Sequence, residues 1–206
     1  MHTIRGVVFD FGGVISAPQD PTFFTTVQAL TGWSKAVVLA GWAAHRAGLD
    51  RGDISAEELY RRIAADQGAV LAPGTLRTLA AADYDSWAHA NDATLAWARE
   101  LKASGFKIGI LTNMPPDFLP WFDRCAGAFR ALADAEVVSG LVRLVKPDPA
   151  IYALMAERMG LPPAELFFWD DTLRNVEAAR ACGWQAGLFT TVAEARTELA
   201  ACVERG

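Results

Sequence analysis

The sequence predicts an α/β fold built on a parallel sheet, and three observations support this prediction. Short apolar segments at 7–9, 107–111 and 166–169 have the length and composition of strands buried on both faces. A helical pattern follows each of them, and strands that alternate with helices indicate a parallel sheet with right-handed crossovers. Residues 18–90, in contrast, carry helical patterns and no convincing strand. We therefore predict a Rossmann-like, doubly wound sheet with an inserted α-helical cap.

Local signals place the first elements in order. The first strand ends at Asp10, and Gly12 and Gly13 permit a tight turn after it. We predict four helices in the inserted region, one of which begins with a capping box of Ser55 and Glu58. A helix from 91 to about 105 leads into the strand at 107–111, and a helix over 117–131 and a short strand over 135–138 follow.

The last third of the chain repeats the alternation. Asp148 and Pro149 suit the start of a helix, because Asp accepts hydrogen bonds at an N-cap and proline is tolerated in the first turn. This helix ends at Gly160, and the strand at 166–169, a helix, a strand at 185–189 and a helix at 192–203 follow. The predicted domains are a core of residues 1–16 and 91–206 and a cap of residues 17–90, with hinges at 16–18 and 88–92.

Composition narrows the functional classes. The chain has 206 residues, of which 52% are hydrophobic, so it can form a substantial core. The net charge is −5 and the basic residues are scattered, which argues against a nucleic-acid surface. The early apolar run stops at Asp10, as a strand does and a signal peptide does not, and no segment is long enough to span a membrane. Three distant cysteines without metal spacing indicate reduced thiols. We expect a cytoplasmic monomer or homodimer that acts on a small molecule.

Polar residues collect where the predicted strands end. These residues are Asp10, Thr112, Asn113, Lys146, Asp170 and Asp171. Taken singly, each has a simpler explanation: Asp10 is an ordinary turn residue, the Thr-Asn pair turns the chain, and the lysine lies in a solvated loop. Capping of the next helix explains one of the last two aspartates more easily than both. Because a parallel sheet gathers the carboxyl ends of its strands along one edge, their joint occurrence predicts a common site.

These residue types together suit phosphoryl transfer. A carboxylate such as Asp10 can attack phosphorus and form an acyl-phosphate. Asp10, Asp170 and Asp171 offer the hard oxygen ligands that Mg²⁺ prefers, and the metal would offset repulsion between Asp10 and an anionic phosphate. Lys146 supplies positive charge, while the Thr112 hydroxyl and nearby backbone N–H groups can hold the non-bridging oxygens.

In these motifs the sequence resembles the haloacid dehalogenase (HAD) superfamily along nearly the whole chain. Counterparts of its four motifs occur in order: Phe-Asp-Phe-Gly-Gly-Val at 9–14, Ile-Leu-Thr-Asn at 110–113, Lys-Pro-Asp-Pro at 146–149, and Phe-Trp-Asp-Asp at 168–171 followed by Asn175. The helical insert is similar to the cap that the family places between its first two motifs. The chain resembles most the capped subfamily of sugar-phosphate phosphatases and the N-terminal phosphatase group of epoxide hydrolases.

The resemblance implies a role for each motif residue. It implies Asp10 as the catalytic nucleophile, assisted by Lys146. It implies phosphate or substrate binding by Thr112, Asn113 and Lys146. It implies a Mg²⁺ site made of Asp10, the backbone carbonyl of Gly12, Asp170 and Asp171. Asn175 either orients the loop that carries the two acids or is an ordinary amide on a helix surface.

Gly12 departs from the family pattern. Phosphatases of this superfamily usually carry a second aspartate there, which protonates the leaving group and then activates water. General acid–base catalysis contributes typically about 10²–10⁴-fold, so its loss should matter. Three hypotheses follow: a phosphatase acting on easily departing groups such as sugar 1-phosphates, a 2-haloacid dehalogenase, and a non-catalytic phosphate-binding relative. We rank them in that order, because a dehalogenase needs no metal and both Asp170 and Asp171 are kept.

The cap contains candidate residues for substrate recognition. They are Trp33, Trp42, His45, Arg46 and Arg51. Trp42 could pack on a sugar or an apolar group, Arg46 could donate hydrogen bonds, and His45 could replace the missing acid. Tryptophans at helical spacing are more often core residues, however, and a His-Arg pair is more often a solvated helix end.

Overall fold

A computed structural model describes residues 3–204 of the chain. Its centre is a five-stranded parallel sheet in the order β3-β2-β1-β4-β5. The strands are β1 (Gly6–Phe9), β2 (Lys107–Thr112), β3 (Ala135–Val138), β4 (Leu166–Asp170) and β5 (Gln185–Leu188). The predicted α/β class and Rossmann-like topology are confirmed, and four of the predicted strands shift their ends by one residue.

Helices connect the strands and form the insert. In chain order they are α1 (Thr22–Thr31), α2 (Lys35–Asp50), α3 (Ala56–Asp66), α4 (Pro73–Trp87), α5 (Asp92–Ala103), α6 (Leu119–Arg130), α7 (Ser139–Val142), α8 (Pro149–Met159), α9 (Leu173–Ala181) and α10 (Val192–Glu204). The sequence did not predict α7 or the short helical segments Pro116–Phe118 and Pro163–Glu165. Within residues 3–204, no helix combines the length and the hydropathy that a membrane crossing requires.

The sheet is buried on both faces, as the apolar strands predict. Val7 and Phe9 of β1 belong to one hydrophobic cluster, and Val8 between them belongs to the other. In β4, Trp169 belongs to the first of these clusters and Phe168 to the second. Alternate side chains of a strand point to opposite faces, so each strand contributes to both layers of the core. Full burial of such a side chain contributes roughly 1.5–3 kcal/mol.

Helices α1–α4 form the inserted helical region. Ser34 and Ser55 cap α2 and α3 by accepting hydrogen bonds from the N–H groups of Val37 and Glu58. Where the chain enters and leaves this region, the N–H of Ala17 donates to the His89 carbonyl at 2.7 Å. The N–H of Asn91 donates to the Ile15 carbonyl at 2.9 Å. The two crossing segments therefore run side by side, and their action as hinges stays a prediction.

One carboxylate of the core accepts hydrogen bonds from two helices of the insert. Asp117 accepts a hydrogen bond from the Tyr84 hydroxyl of α4 at 2.7 Å and another from the backbone N–H of Ala56 of α3 at 3.1 Å. The Tyr84 ring also packs edge-on against Phe118, with 5.1 Å between the ring centroids. These contacts hold the insert over the carboxyl ends of the strands.

Candidate active site

Three neighbouring strands bring the predicted site residues together. The order β2-β1-β4 places the ends of these strands side by side. Asp10 directly follows β1, Thr112 ends β2, and Asp170 ends β4. Apolar residues directly precede Asp10, Thr112 and Asp170 in their strands, so the three polar groups lie at the same edge of the sheet.

A buried lysine joins two of these carboxylates. The Lys146 ammonium lies 2.8 Å from Asp10 Oδ1 and 2.6 Å from Asp170 Oδ2. Only 1% of the Lys146 side chain and none of the Asp170 side chain is exposed, so water screens the pairs very little. Burial by itself would lower the pKa of Lys146, but the carboxylates of Asp10 and Asp170 outweigh it, and the pKa is raised.

Backbone and amide donors fix the two buried carboxylates. Asp10 Oδ1 accepts a hydrogen bond from the N–H of Phe11 at 2.7 Å. Asp170 Oδ1 accepts one from the N–H of Thr172 at 2.8 Å. The Asn175 amide lies 3.1 Å from both oxygens of Asp170. Asn175 is thus buried and contacts Asp170, and its action in orienting the loop of the two acids stays a prediction.

Asn113 contacts the backbone of Lys146. Its Oδ1 accepts from the Lys146 N–H at 2.8 Å, and its Nδ2 donates to the Lys146 carbonyl at 3.0 Å. This pair of bonds fixes the loop that carries the lysine. Asn113 also borders the cavity described below, but its amide groups position Lys146 in this structure.

The third acid, Asp171, completes a carboxylate cluster. One oxygen from each of Asp10, Asp170 and Asp171 lies within 4.8 Å of the other two. Burial, together with the charges of Asp170 and Asp171, raises the pKa of Asp10 to about 7, although Lys146 opposes this shift. Burial and the charge of Asp170 also raise the pKa of Asp171. The cluster therefore carries more negative charge than Lys146 neutralises, which is the situation a divalent cation relieves.

Position 13 requires glycine, because the side chain of Asp171 lies close to its backbone. Its φ of +69° lies in the left-handed region that favours glycine. A Cβ at this position would also lie 2.7 Å from Asp171 Oδ2. Any side chain would therefore strain the turn and displace an acid of the cluster.

The raised pKa values predict an unusual pH dependence of stability. A carboxyl whose pKa is higher in the folded than in the unfolded state stabilises the fold while it is protonated. That contribution is lost as the pH rises towards 7. We expect the melting temperature of metal-free protein to fall between about pH 4 and pH 7, and Mg²⁺ to reverse most of the fall.

Thermal unfolding with EDTA and with Mg²⁺ across this range measures the effect. Asp10→Asn, which cannot ionise, serves as the matched variant and should show a flatter profile. The expectation would be wrong if the melting temperature of the wild-type protein in EDTA did not fall as the pH rises.

A cavity of about 320 Å³ lies between the strand ends and the insert. From the core it is lined by Asp10, Gly12, Thr112, Lys146 and Asp171, and from the insert by Trp42, Arg46, Leu49, Asp83, Tyr84 and Trp87. A small ligand bound to the carboxylate cluster would thus contact both parts of the protein.

A family model for haloacid dehalogenase-like hydrolases matches residues 4–183. The chain belongs to the haloacid dehalogenase-like hydrolase family. Among curated relatives of this HAD-like hydrolase, a phosphatase of Mycobacterium tuberculosis, MT3486, is 26% identical over 199 residues. The match covers 94% of this chain and 91% of the relative.

Solved structures share the fold of this HAD-like hydrolase. The HAD family enzyme bt-2542 of Bacteroides thetaiotaomicron superposes with a TM-score of 0.74 at 18% identity, covering 92% of this chain and 95% of that one. The L-2-haloacid dehalogenase of Xanthobacter autotrophicus gives a TM-score of 0.69 at 22% identity, covering 94% of this chain and 82% of that one. At these identities the likeness concerns the fold.

The structure separates the cap candidates into two groups. Trp42 and Arg46 line the cavity. His45, on the same helix, lies outside it, with Nε2 2.7 Å from Asp66 Oδ2 at the surface. Trp33 is 8% exposed and packs in the core, and Arg51 pairs with Asp53 at 2.6 Å. The hypothesis that His45 replaces the missing acid has no support from this placement.

Three charged residues of the cavity wall were not predicted from the sequence, namely Asp50, Asp83 and Arg174. Asp83 of α4 is 1% exposed and lines the cavity. A signal was available, because Asp83 and Trp87 stand four residues apart, on one face of a helix otherwise rich in alanine and leucine. Nothing local indicates, however, that this face meets the strand ends.

Proposed function

We propose that the protein is a Mg²⁺-dependent phosphatase of small phosphomonoesters that acts through an aspartyl-phosphate on Asp10. The observation that carries this proposal is the buried pairing of Lys146 with Asp10 and Asp170, beside Asp171, at the wall of the cavity. A dehalogenase has no need of an excess of carboxylates at this point. The phosphatase relative of Mycobacterium tuberculosis supports the same choice.

The donor set of the site suits magnesium. Asp10, Asp170 and Asp171 provide only oxygen ligands, which Mg²⁺ prefers, and their excess charge favours a divalent cation. We assign the Gly12 carbonyl as a further ligand. Bound there, Mg²⁺ would neutralise charge on the phosphate. The Bacteroides thetaiotaomicron enzyme of the same fold has been solved in complex with magnesium and inorganic phosphate.

The nucleophilic oxygen follows from the hydrogen bonds of Asp10. Among residues 3–204, the N–H of Phe11 and the Lys146 ammonium both contact Oδ1. Oδ2 is therefore the oxygen that we assign to attack phosphorus. Lys146 holds the carboxylate in place and, with the Thr112 hydroxyl, binds the non-bridging oxygens, which stabilises charge in the transition state.

We propose residues 17–90 as a cap that excludes water and contacts the leaving group, and residues 1–16 and 91–206 as the core. Residues 1, 2, 205 and 206 of that core lie outside the described part of the chain. Trp42 and Trp87 offer flat apolar surfaces in the cavity, and Arg46 offers donors beside them. Sugar phosphates present matching apolar faces and hydroxyls, so they are the first substrates to test. A cytoplasmic location, a monomeric or homodimeric state and the absence of nucleic-acid partners stay predictions.

The second candidate function is dehalogenation of 2-haloacids. Gly12 favours it, because a halide ion departs without a proton and the usual acid is then unnecessary. Purified protein should hydrolyse p-nitrophenyl phosphate with Mg²⁺, and EDTA should abolish the activity. Release of halide from 2-chloropropionate without metal, with no turnover of phosphate esters, would reverse the choice. Binding of phosphate without either turnover would support a non-catalytic relative.

A further inference from the structure

The insert fills the place beside Gly12. An ideal Cβ built on Gly12 would have the Trp87 ring as its nearest contact, with Cζ3 at 3.4 Å and Cε3 at 3.8 Å. The backbone of Gly12 (φ −63°, ψ 125°) is accessible to any residue, so its conformation does not require glycine. The indole that α4 supplies therefore lies in van der Waals contact with the place where a side chain at position 12 would begin.

The same helix carries a buried carboxyl one turn before that indole. Asp83 and Trp87 are four residues apart, so their side chains share one face of α4, and both line the cavity that contains Asp10. Two contacts of neighbouring residues tie α4 to the core: Tyr84 donates to Asp117 at 2.7 Å, and Asp85 accepts from the Trp121 indole at 2.8 Å. The position of Asp83 over the site is therefore fixed by the fold.

Hydrogen bonds distinguish the two oxygens of Asp83. The Tyr60 hydroxyl of α3 donates to Oδ2 at 2.8 Å. Oδ1 has a longer contact of 3.4 Å with the Gln19 amide. Oδ1 is thus the less strongly bound oxygen and the one better able to carry and release a proton.

The surroundings of Asp83 favour its protonated form. Burial raises its pKa above the usual aspartate value, and the charge of Asp50 adds to this, while Arg46, Tyr60 and Trp87 oppose it. A group that keeps its proton to higher pH is better suited to act as an acid near neutrality.

We propose that Asp83 is the proton donor to the leaving group, so that the cap supplies the acid that position 12 lacks. This inference rests on the proposed phosphatase function. In the first step Asp10 Oδ2 forms a bond to phosphorus, and the bond between phosphorus and the leaving oxygen breaks. That oxygen keeps the electron pair and takes the proton from Asp83 Oδ1, which yields the free alcohol and the aspartyl-phosphate.

The second step restores both residues. The Asp83 carboxylate takes a proton from a water molecule whose oxygen bonds to phosphorus. The bond between phosphorus and Asp10 Oδ2 breaks, and its electron pair returns to the carboxylate. Inorganic phosphate leaves, Asp10 is ionised again and Asp83 is protonated again, so that atoms and charges balance over the cycle.

The dependence of rate on the leaving group tests this role. p-Nitrophenol departs readily as an anion, whereas an alkyl alcohol such as that of glycerol phosphate needs a proton. Asp83→Asn is isosteric and cannot donate in the same way. We expect it to lower kcat/KM for the alkyl ester by about 10²-fold or more. The loss for p-nitrophenyl phosphate should be smaller than this by a factor of about ten or more. Asp66→Asn, which changes an exposed cap aspartate outside the cavity, should leave both rates unchanged.

Each outcome decides the inference. An equal loss on both esters would show that Asp83 only supports the cap and would overturn it, as would no loss on either. If Asp83→Asn does not fold, a series of aryl and alkyl esters with the wild-type protein replaces it. A shallow dependence of kcat/KM on the leaving-group pKa supports the donor, and a steep one contradicts it. Failure of wild-type protein to hydrolyse any phosphate ester with Mg²⁺ rejects the proposed function instead.

Discussion

Asp10→Asn should lower kcat for phosphate esters by about 10⁴-fold or more. The amide keeps the shape of the side chain but cannot attack phosphorus, so the covalent path is lost. It also removes one of the three carboxylates of the cluster, which weakens Mg²⁺ binding. Steady-state hydrolysis of p-nitrophenyl phosphate measures the loss, and acid-quenched samples should show phosphorylated protein with the wild type only.

Two comparisons make this result specific to the nucleophile. Asp123→Asn changes an exposed aspartate of α6 that pairs with Arg130 and does not line the cavity, and should retain full activity. The fold of Asp10→Asn is checked by thermal unfolding. Substantial phosphatase activity in a folded Asp10→Asn protein would remove the central residue of the proposed mechanism.

Lys146→Met should destabilise the protein more than other lysine substitutions. Methionine preserves much of the volume, but it leaves the buried carboxylates of Asp10 and Asp170 facing each other without a cation. Loss of one partner from a buried ion pair costs about 3–5 kcal/mol. Asp10 can escape part of this cost by taking a proton, so the loss should increase as the pH rises towards 8.

Magnesium should rescue part of this loss. Because a divalent cation can replace the missing positive charge, Mg²⁺ should raise the melting temperature of Lys146→Met by more than that of the wild type. Lys102→Met is the matched control, since Lys102 forms a half-exposed pair with Asp134 and its loss should cost no more than about 1 kcal/mol. Equal stability of the two variants in EDTA would show that the ammonium of Lys146 does not balance the buried acids.

The sequence predicts that the candidate site residues lie close together, because a polar residue marks the end of each apolar strand. The strands containing Val8 and Phe168 are apolar on both faces and stop at Asp10 and Asp170. Once helices separate such strands, the parallel arrangement follows, and with it a common edge for the polar residues. Lys146 lies in a loop, and its place between two carboxylates follows only from the folded path of that loop.

The sequence did not predict the roles of residues that depend on which way a side chain points. Asn113 has the residue type of a phosphate ligand, yet its amide contacts both backbone groups of Lys146. His45 and Arg46 are neighbours in the chain, but one faces Asp66 at the surface and the other faces the cavity. A rotation of about 100° per residue along a helix separates adjacent side chains, and only packing decides which of them points inward.

The sequence by itself determined the parallel sheet, the helical insert and the set of acids and lysine at the strand ends, because these follow from local hydrophobic patterns and from the geometry of parallel strands. The tertiary structure alone decided how the insert lies on the core. Trp87 beside Gly12, and Asp83 above the cavity, result from contacts such as that between Tyr84 and Asp117, which join segments more than thirty residues apart. Such contacts depend on the fit of two assembled surfaces, and no local pattern in either segment encodes that fit.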